Sequence, residues 1–145
     1  MNTSQRLTVR VAVYLILERD GQILLLKRKS TGWADGMFSL ISGHLDPNET
    51  LTTAMIREAK EEAGINIKEK DLEMVHVIHQ RTNNQYISFF FWPAHWTGEP
   101  TNIEAEKCEE MKWFPIDNIP SNTVPFLKQV IEHYKAGTVF SESLS

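Results

Sequence analysis

Residues Gly43–Ile65 read GHLDPNETLTTAMIREAKEEAGI, and the reading of this stretch decides the fold. Asp46-Pro47-Asn48 is turn chemistry. A helix is predicted from about Thr50 to Ala63, with Gly64 as its stop, because glycine takes the left-handed backbone of a helix C-terminus without steric cost. Setting Leu51 at zero and advancing about 100° per residue, Met55, Ala59, Ala63 and Ile56 fall between about 40° and about 140° and form the core face. Glu58, Glu62 and Glu61 fall near about 340°, about 20° and about 280°, an arc of roughly 100° beside the core face rather than opposite it.

That placement is electrostatically unfavourable. Glu58 and Glu62 are a like-charge i,i+4 pair, worth roughly 0.2–0.5 kcal/mol of destabilisation. All three acids sit toward the negative end of the helix dipole, at roughly 0.3–1 kcal/mol each when exposed. Lys60 points away, and Arg57, near about 240°, cannot neutralise three carboxylates. A bound cation resolves the conflict, and closely spaced carboxylates without a thiol or imidazole suit a hard divalent ion such as Mg²⁺ or Mn²⁺. The competing reading is a solvated acidic face, a common feature of surface helices.

Outward from the helix, LTVRVAVYLILERDGQILLLKRKS reads as two strands joined at Asp20-Gly21, a strong hairpin signal. TGWADGMFSLISG reads as a loop leading to a short strand near 38–41. LEMVHVIHQ, QYISFFFWPAHW and EEMKWFP read as further strands, and a last helix is predicted from Val124-Pro125 to Ala136 with Gly137 beyond it. TVFSESLS, residues 138–145, is expected to be a loose tail. The order strands, helix, strands, helix implies one domain over 1–145, a mixed sheet with helices packed on it, of the α+β or α/β class.

Composition narrows the function classes. A formal net charge of -4 argues against a surface dominated by nucleic-acid binding. A single cysteine, Cys108, leaves no intrachain disulfide and favours a reducing, cytoplasmic setting. MNTSQRLTVR has no apolar run of the secretory type, and YISFFFWPAHW is too short to span a bilayer, so no membrane association is expected.

The spacing within the opening stretch resembles the Nudix box. Gly43, five residues, Glu49, seven residues, Arg57-Glu58, Ala59, Lys60, Glu61-Glu62, Ala63, Gly64 and Ile65 fill every fixed position of that pattern. Ala59 is smaller than the aliphatic residue common there, and ISGH precedes the box where many members carry Pro-Gly or Gly-Gly. The resemblance implies an α/β/α sandwich and hydrolysis of a diphosphate linked to another group. It implies that Glu58, Glu61 and Glu62 bind the metal, with one of them also serving as general base. It further implies that Glu49 and Arg57 pair to orient loop and helix, and that the backbone carbonyl of Ser42 beside Gly43 is a further ligand.

Outside the box, Arg28 is a candidate for substrate phosphates, since guanidinium pairs with them in bidentate geometry; the alternative for Lys27-Arg28-Lys29 is a solubilising strand end. Of Glu104, Glu106 and Glu109, Glu104 is the first choice for an additional metal acid. Gly43 and His44 are expected near the substrate, His44 in a structural or metal-shell role. His76 and His79 read as structural, and Cys108 as a buried filler. Trp33, Phe90, Trp92 and Trp96 read mostly as core or sheet surface, with one available to stack on a base. The expected activity is a MutT-like pyrophosphohydrolase, with Mg²⁺ or Mn²⁺ and a small nucleoside-diphosphate-linked substrate. The alternatives are action on a nucleotide sugar or other diphosphate, and a non-catalytic nucleotide-binding module.

Overall fold

A computed structural model describes residues 5–144. The elements in chain order are β1 (Arg10–Leu15), β2 (Glu18–Arg19), β3 (Gln22–Arg28), β4 (Phe38–Ser39), β5 (Ile41–His44), α1 (Leu51–Ala63), a 3₁₀ turn (Glu69–Asp71), β6 (Leu72–Arg81), β7 (Gln85–Pro93), β8 (Cys108–Pro115), α2 (Pro125–Ala136) and β9 (Phe140–Ser143). One sheet has the order β5-β1-β7-β6-β9, mixing parallel β1/β7 and β6/β9 pairs with antiparallel β1/β5 and β6/β7 pairs. In the other, β3 pairs antiparallel with β2, β4 and β8.

The two sheets form a middle layer between the helices. Ala12, Tyr14 and Ile16 pack with Ile23, Leu25, Phe90 and the α2 residues Leu127, Val130 and Ile131. Val13, Leu15 and Leu17 pack on the opposite face with Leu24, Leu26, Phe91 and the α1 residues Met55, Ala59 and Ala63. Covering both faces explains why VAVYLIL and ILLL are continuous apolar runs rather than alternating ones.

The hairpin expectation needs correction in its partners. Asp20 and Gly21 do form the turn, with φ of 54° and 76°, but they join β2 to β3. β1 lies in the other sheet, and the chain changes sheets at Ile16–Leu17: Ile16 N–H donates to the Phe91 carbonyl and the Leu17 carbonyl accepts from Leu24. The expected strand near 38–41 likewise divides at Leu40 into β4 and β5, one in each sheet. On α1, Ala54 is buried while Leu51 and Ile56 are only half-buried.

The expected loose tail is also corrected. Phe140–Ser143 is an edge strand paired parallel with β6, Val77 opposite Phe140 and Gln80 opposite Ser143; Ser145 lies outside the described residues. His76, fully buried, fastens this strand: its ring nitrogens lie 2.7 Å from the Thr138 carbonyl and 2.8 Å from Ser141 Oγ. The interior side of β9 is thus held by a polar residue, which a hydrophobic reading of TVFSESLS does not detect.

Candidate active site

The site is built around the C-terminal half of α1 and its approach to β5. The Thr50 hydroxyl caps α1 by accepting from Thr53 N–H, and Gly64 ends it at φ 70°. Before it, Pro47-Asn48 forms a turn closed by Glu49 N–H on the Asp46 carbonyl, with Asn48 at φ 69°. Three of the four buried α1 positions are alanines, so the helix lies close to the sheet and its glutamates reach the strand. Glu62 Oε2 accepts from Ser42 N–H at 3.1 Å. A Cβ built on Gly43 would overlap the Glu58 carboxyl group. Gly43 is outside the left-handed region, so its lack of a side chain is needed for space and not for backbone conformation.

Arg57 gathers the box. It donates to both Glu49 oxygens, at 2.7 and 2.9 Å, to Glu58 Oε1 at 2.7 Å, to Glu61 Oε2 at 3.3 Å and to the His44 carbonyl at 3.1 Å. These bonds raise the guanidinium pKa, Glu49 being the largest cause, and in turn hold the Glu49 carboxyl below the usual carboxylate range. The arginine thus joins the loop after β5 and the residue before the helix cap to the C-terminal half of α1.

Glu58, Glu61 and Glu62 line one cavity of about 470 Å³, together with Glu104, Ser42, Gly43, His44 and Arg28. Burial, followed by the charge of Glu58, pushes the Glu62 carboxyl up to about 9; Glu104 adds to this and the Ser42 N–H opposes it. In the metal-free site burial and the charge of Glu58 therefore favour the neutral form of Glu62. Among the described residues no three acidic, cysteine or histidine side chains are already gathered around a point that could hold a metal ion. The reason is visible: Arg57 engages Glu58, Ser42 N–H engages Glu62, and Glu61 is half exposed. The donor set nevertheless suits a hard cation: a buried carboxyl that resists ionisation beside two further acids, in a cradle a Cβ at Gly43 would fill. Glu106 and Glu109 lie outside the cavity, Glu109 being 3.7 Å from Lys27 Nζ.

A second cavity of about 700 Å³ adjoins the first across the end of β5. Alternation on the strands explains the division: Gly43 faces α1, while Ser42 and His44 share the α2 face with Ala12 and Tyr14, their partners across β1. The floor continues through Ser88 and Tyr86 on β7 to Gln80 on β6. Phe126 of α2 and the loop residue Trp33 form its walls. Of the four aromatics considered for stacking, Trp33 is the one that lines this cavity, and it is 47% exposed. Arg28 lies between the two cavities and is oriented by the loop, donating to the Trp33 carbonyl at 2.7 Å and to Thr31 Oγ1 at 2.9 Å. Asp35 ties that loop through Thr31 and Gly32. Tyr14, Tyr86, Ser88 and Gln80 were not identifiable from sequence; period-2 alternation marks them only once the strand register is known.

Comparison with known proteins agrees with this geometry. The NUDIX domain family model matches residues 6–134. An NAD-capped RNA hydrolase NudC of Stutzerimonas stutzeri is 29% identical, over 74% of this chain and 37% of its own. An ADP-ribose pyrophosphatase of Methanocaldococcus jannaschii is 32% identical, over 76% of this chain and 64% of its own. A putative 8-oxo-dGTP diphosphatase of Bacillus subtilis is 29% identical, over 87% of this chain and 79% of its own. The chain thus spans well under half of the NudC relative and just under two thirds of the archaeal one. The crystal structure of a MutT NUDIX hydrolase from Burkholderia pseudomallei superposes with a TM-score of 0.78 at 26% identity, covering 86% of this chain and 97% of the other. With the box geometry, the mixed sheets between two helices and a family match over most of its length, the chain belongs to the NUDIX family.

Proposed function

We propose that this chain is a divalent-metal-dependent pyrophosphohydrolase that cleaves a diphosphate linkage in a nucleoside di- or triphosphate or modified nucleotide. The observation that carries the reading is the joining of two unlike cavities at Ser42–His44: one lined by Glu58, Glu61, Glu62 and Glu104, the other larger, free of acids and walled by aromatic side chains. A diphosphate fits the first only when its charge is offset, and a base fits the second.

In this reading Glu58, Glu61 and Glu62, with the Ser42 carbonyl and Glu104, hold Mg²⁺ or Mn²⁺. The bound ion supplies neutralisation of the phosphate oxygens and a lowered pKa for the attacking water. Arg57 and Glu49 keep the Glu58 carboxylate and the Gly43 loop in register, and positioning of this kind accounts for much of the catalysis of phosphoryl hydrolysis. One carboxylate of the set takes the proton from the attacking water. Arg28, held at the junction, directs its guanidinium to phosphate, and His44 and Gly43 border the linkage.

A second reading, a nucleotide sugar or other diphosphate, is favoured by the 32% identical archaeal relative, named an ADP-ribose pyrophosphatase. The experiment is a panel of nucleoside triphosphates, oxidised nucleotides and ADP-ribose with Mg²⁺, scored for phosphate, pyrophosphate and monophosphate release, with Glu62→Gln alongside. Pyrophosphate from a triphosphate supports the first reading, and two monophosphates from ADP-ribose the second. Release of nothing by the wild type refutes the hydrolase reading and leaves a binding module, and equal release by Glu62→Gln refutes the metal-binding role of Glu62.

A further inference from the structure

The aromatic cavity has a feature that the diphosphate chemistry does not use. Tyr14 is 8% exposed and Ser88 2% exposed, both line the cavity, and neither side-chain hydroxyl forms a hydrogen bond among the described residues. Neither oxygen is among the fully buried polar atoms that lack a partner, which are Ser39 Oγ and Asn102 Oδ1, so both hydroxyls reach the open cavity and can bond what enters it. The Tyr14 ring is fixed: it stacks on Phe90 at 4.8 Å between centroids and takes the edge of Phe126 at 5.9 Å. Its hydroxyl is therefore held in place before any ligand arrives, without the entropy cost of immobilising a free side chain. The two residues share one sheet face, Ser88 lying opposite Ala12 and Tyr14 opposite Phe90 across the β1/β7 pair.

The charge of the cavity restricts what these hydroxyls can meet. No Asp or Glu among the described residues lines it. Two of its four lining aromatic rings already carry a cation: the Arg28 guanidinium lies 4.7 Å from the Trp33 ring centre and that of Arg10 lies 5.8 Å from the Tyr86 ring. A positively charged ring would meet like charge at both rings, and an uncharged one would not.

We propose that Tyr14 and Ser88 are specificity-determining residues that hydrogen-bond the uncharged heteroaromatic ring of a nucleoside in this cavity and discriminate against a cationic ring. The inference rests on the reading of the substrate as a nucleotide and deepens it. Burial pushes the Tyr14 hydroxyl up to about 12, so it remains a donor throughout the neutral range, and the Ser88 hydroxyl can donate or accept. A site whose polar groups pair only with the correct ring rejects an analogue that leaves them unpaired.

The test uses phosphate-free ligands, so that it is independent of metal and turnover. Adenosine, guanosine, cytidine, uridine and nicotinamide riboside, whose ring is cationic, are titrated in EDTA against the full chain and followed by NMR chemical shifts. Tyr14→Phe removes one oxygen and Ser88→Ala removes another, and thermal melting confirms that each variant folds. At least one neutral nucleoside is expected to bind at least fivefold more tightly than nicotinamide riboside, and to lose at least fivefold in affinity in each variant, with shifts on Tyr86 and Gln80. Unchanged affinity in both variants, tightest binding of nicotinamide riboside, or no nucleoside binding at millimolar concentration overturns the inference. The hydrolase reading is judged separately, by product release from the wild type with Mg²⁺: activity with unaffected variants leaves that reading intact and removes this one.

Discussion

Gly43→Ala isolates the close approach of α1 to β5. Gly43 is extended and not left-handed, so alanine meets no backbone penalty and should gain roughly 0.5–1 kcal/mol from the reduced freedom of the unfolded chain. The new Cβ falls on the Glu58 carboxyl carbon, Oε1 and Cγ. These belong to the far end of a flexible side chain, so Glu58 is expected to swing away while the backbone stays. That breaks its 2.7 Å bond with Arg57, between side chains 14% and 26% exposed, which costs about 1 kcal/mol. The two terms nearly cancel, so the melting temperature should stay within about 4 °C of wild type. Hydrolysis should fall at least about tenfold, or about 1.4 kcal/mol, because a metal-binding carboxylate has left its position. Since both changes act on one carboxylate, Gly43→Ala/Glu58→Gln should be no slower than the worse single variant. Calorimetry and steady-state kinetics on the four proteins decide the matter. Activity within twofold of wild type would show that Glu58 does not act from the place the structure gives it. A fall of more than about 10 °C would show that the helix, and not the side chain, gives way.

Three further outcomes follow from the same contacts. The Glu62 carboxyl is raised from 4.5 to about 9 by burial and by Glu58, so between those values the folded state holds a proton the unfolded state has lost, and stability falls as pH rises. In EDTA the protein should lose about 2 kcal/mol between pH 7 and pH 9, Glu62→Gln should flatten that slope, and Mg²⁺ should stabilise more at pH 9 than at pH 7; a flat wild-type slope refutes the assignment. Arg57→Ala should lower both melting temperature and activity, since Glu49 and Glu58 are left without their partner, and Arg57→Lys should restore only part, lacking the planar fork; an Arg57→Ala protein that melts like wild type but is inactive would place Arg57 on the substrate instead. Ending the chain after Gly137 removes the partners of buried His76 and should cost roughly 1–3 kcal/mol, read by urea unfolding; an unchanged midpoint would mean that β9 contributes nothing to the fold.

The sequence by itself determined the local parts of this protein. Helix α1 and its Gly64 stop follow from interactions between residues three or four apart, as do the shared arc of Glu58, Glu61 and Glu62 and the reach of Arg57 to Glu61. The Asp20-Gly21 turn was legible because its positive φ values restrict the residues that can occupy it. The spacing of the box extended this to the pairing of Arg57 with Glu49, eight positions apart. Only the tertiary structure decided which strands pair. The sheet changes at Ile16 and Leu40 depend on partners distant in sequence, Phe91 for one and the two separate sheets for the other. The strand β9 depends on a buried histidine more than sixty residues earlier. The burial of Glu62 depends on how closely an alanine-lined helix face settles on Gly43. The floor of the second cavity joins Tyr14, Ser88 and Gln80 from three strands, and a periodicity of two says which face a residue takes but not which strand lies beside it.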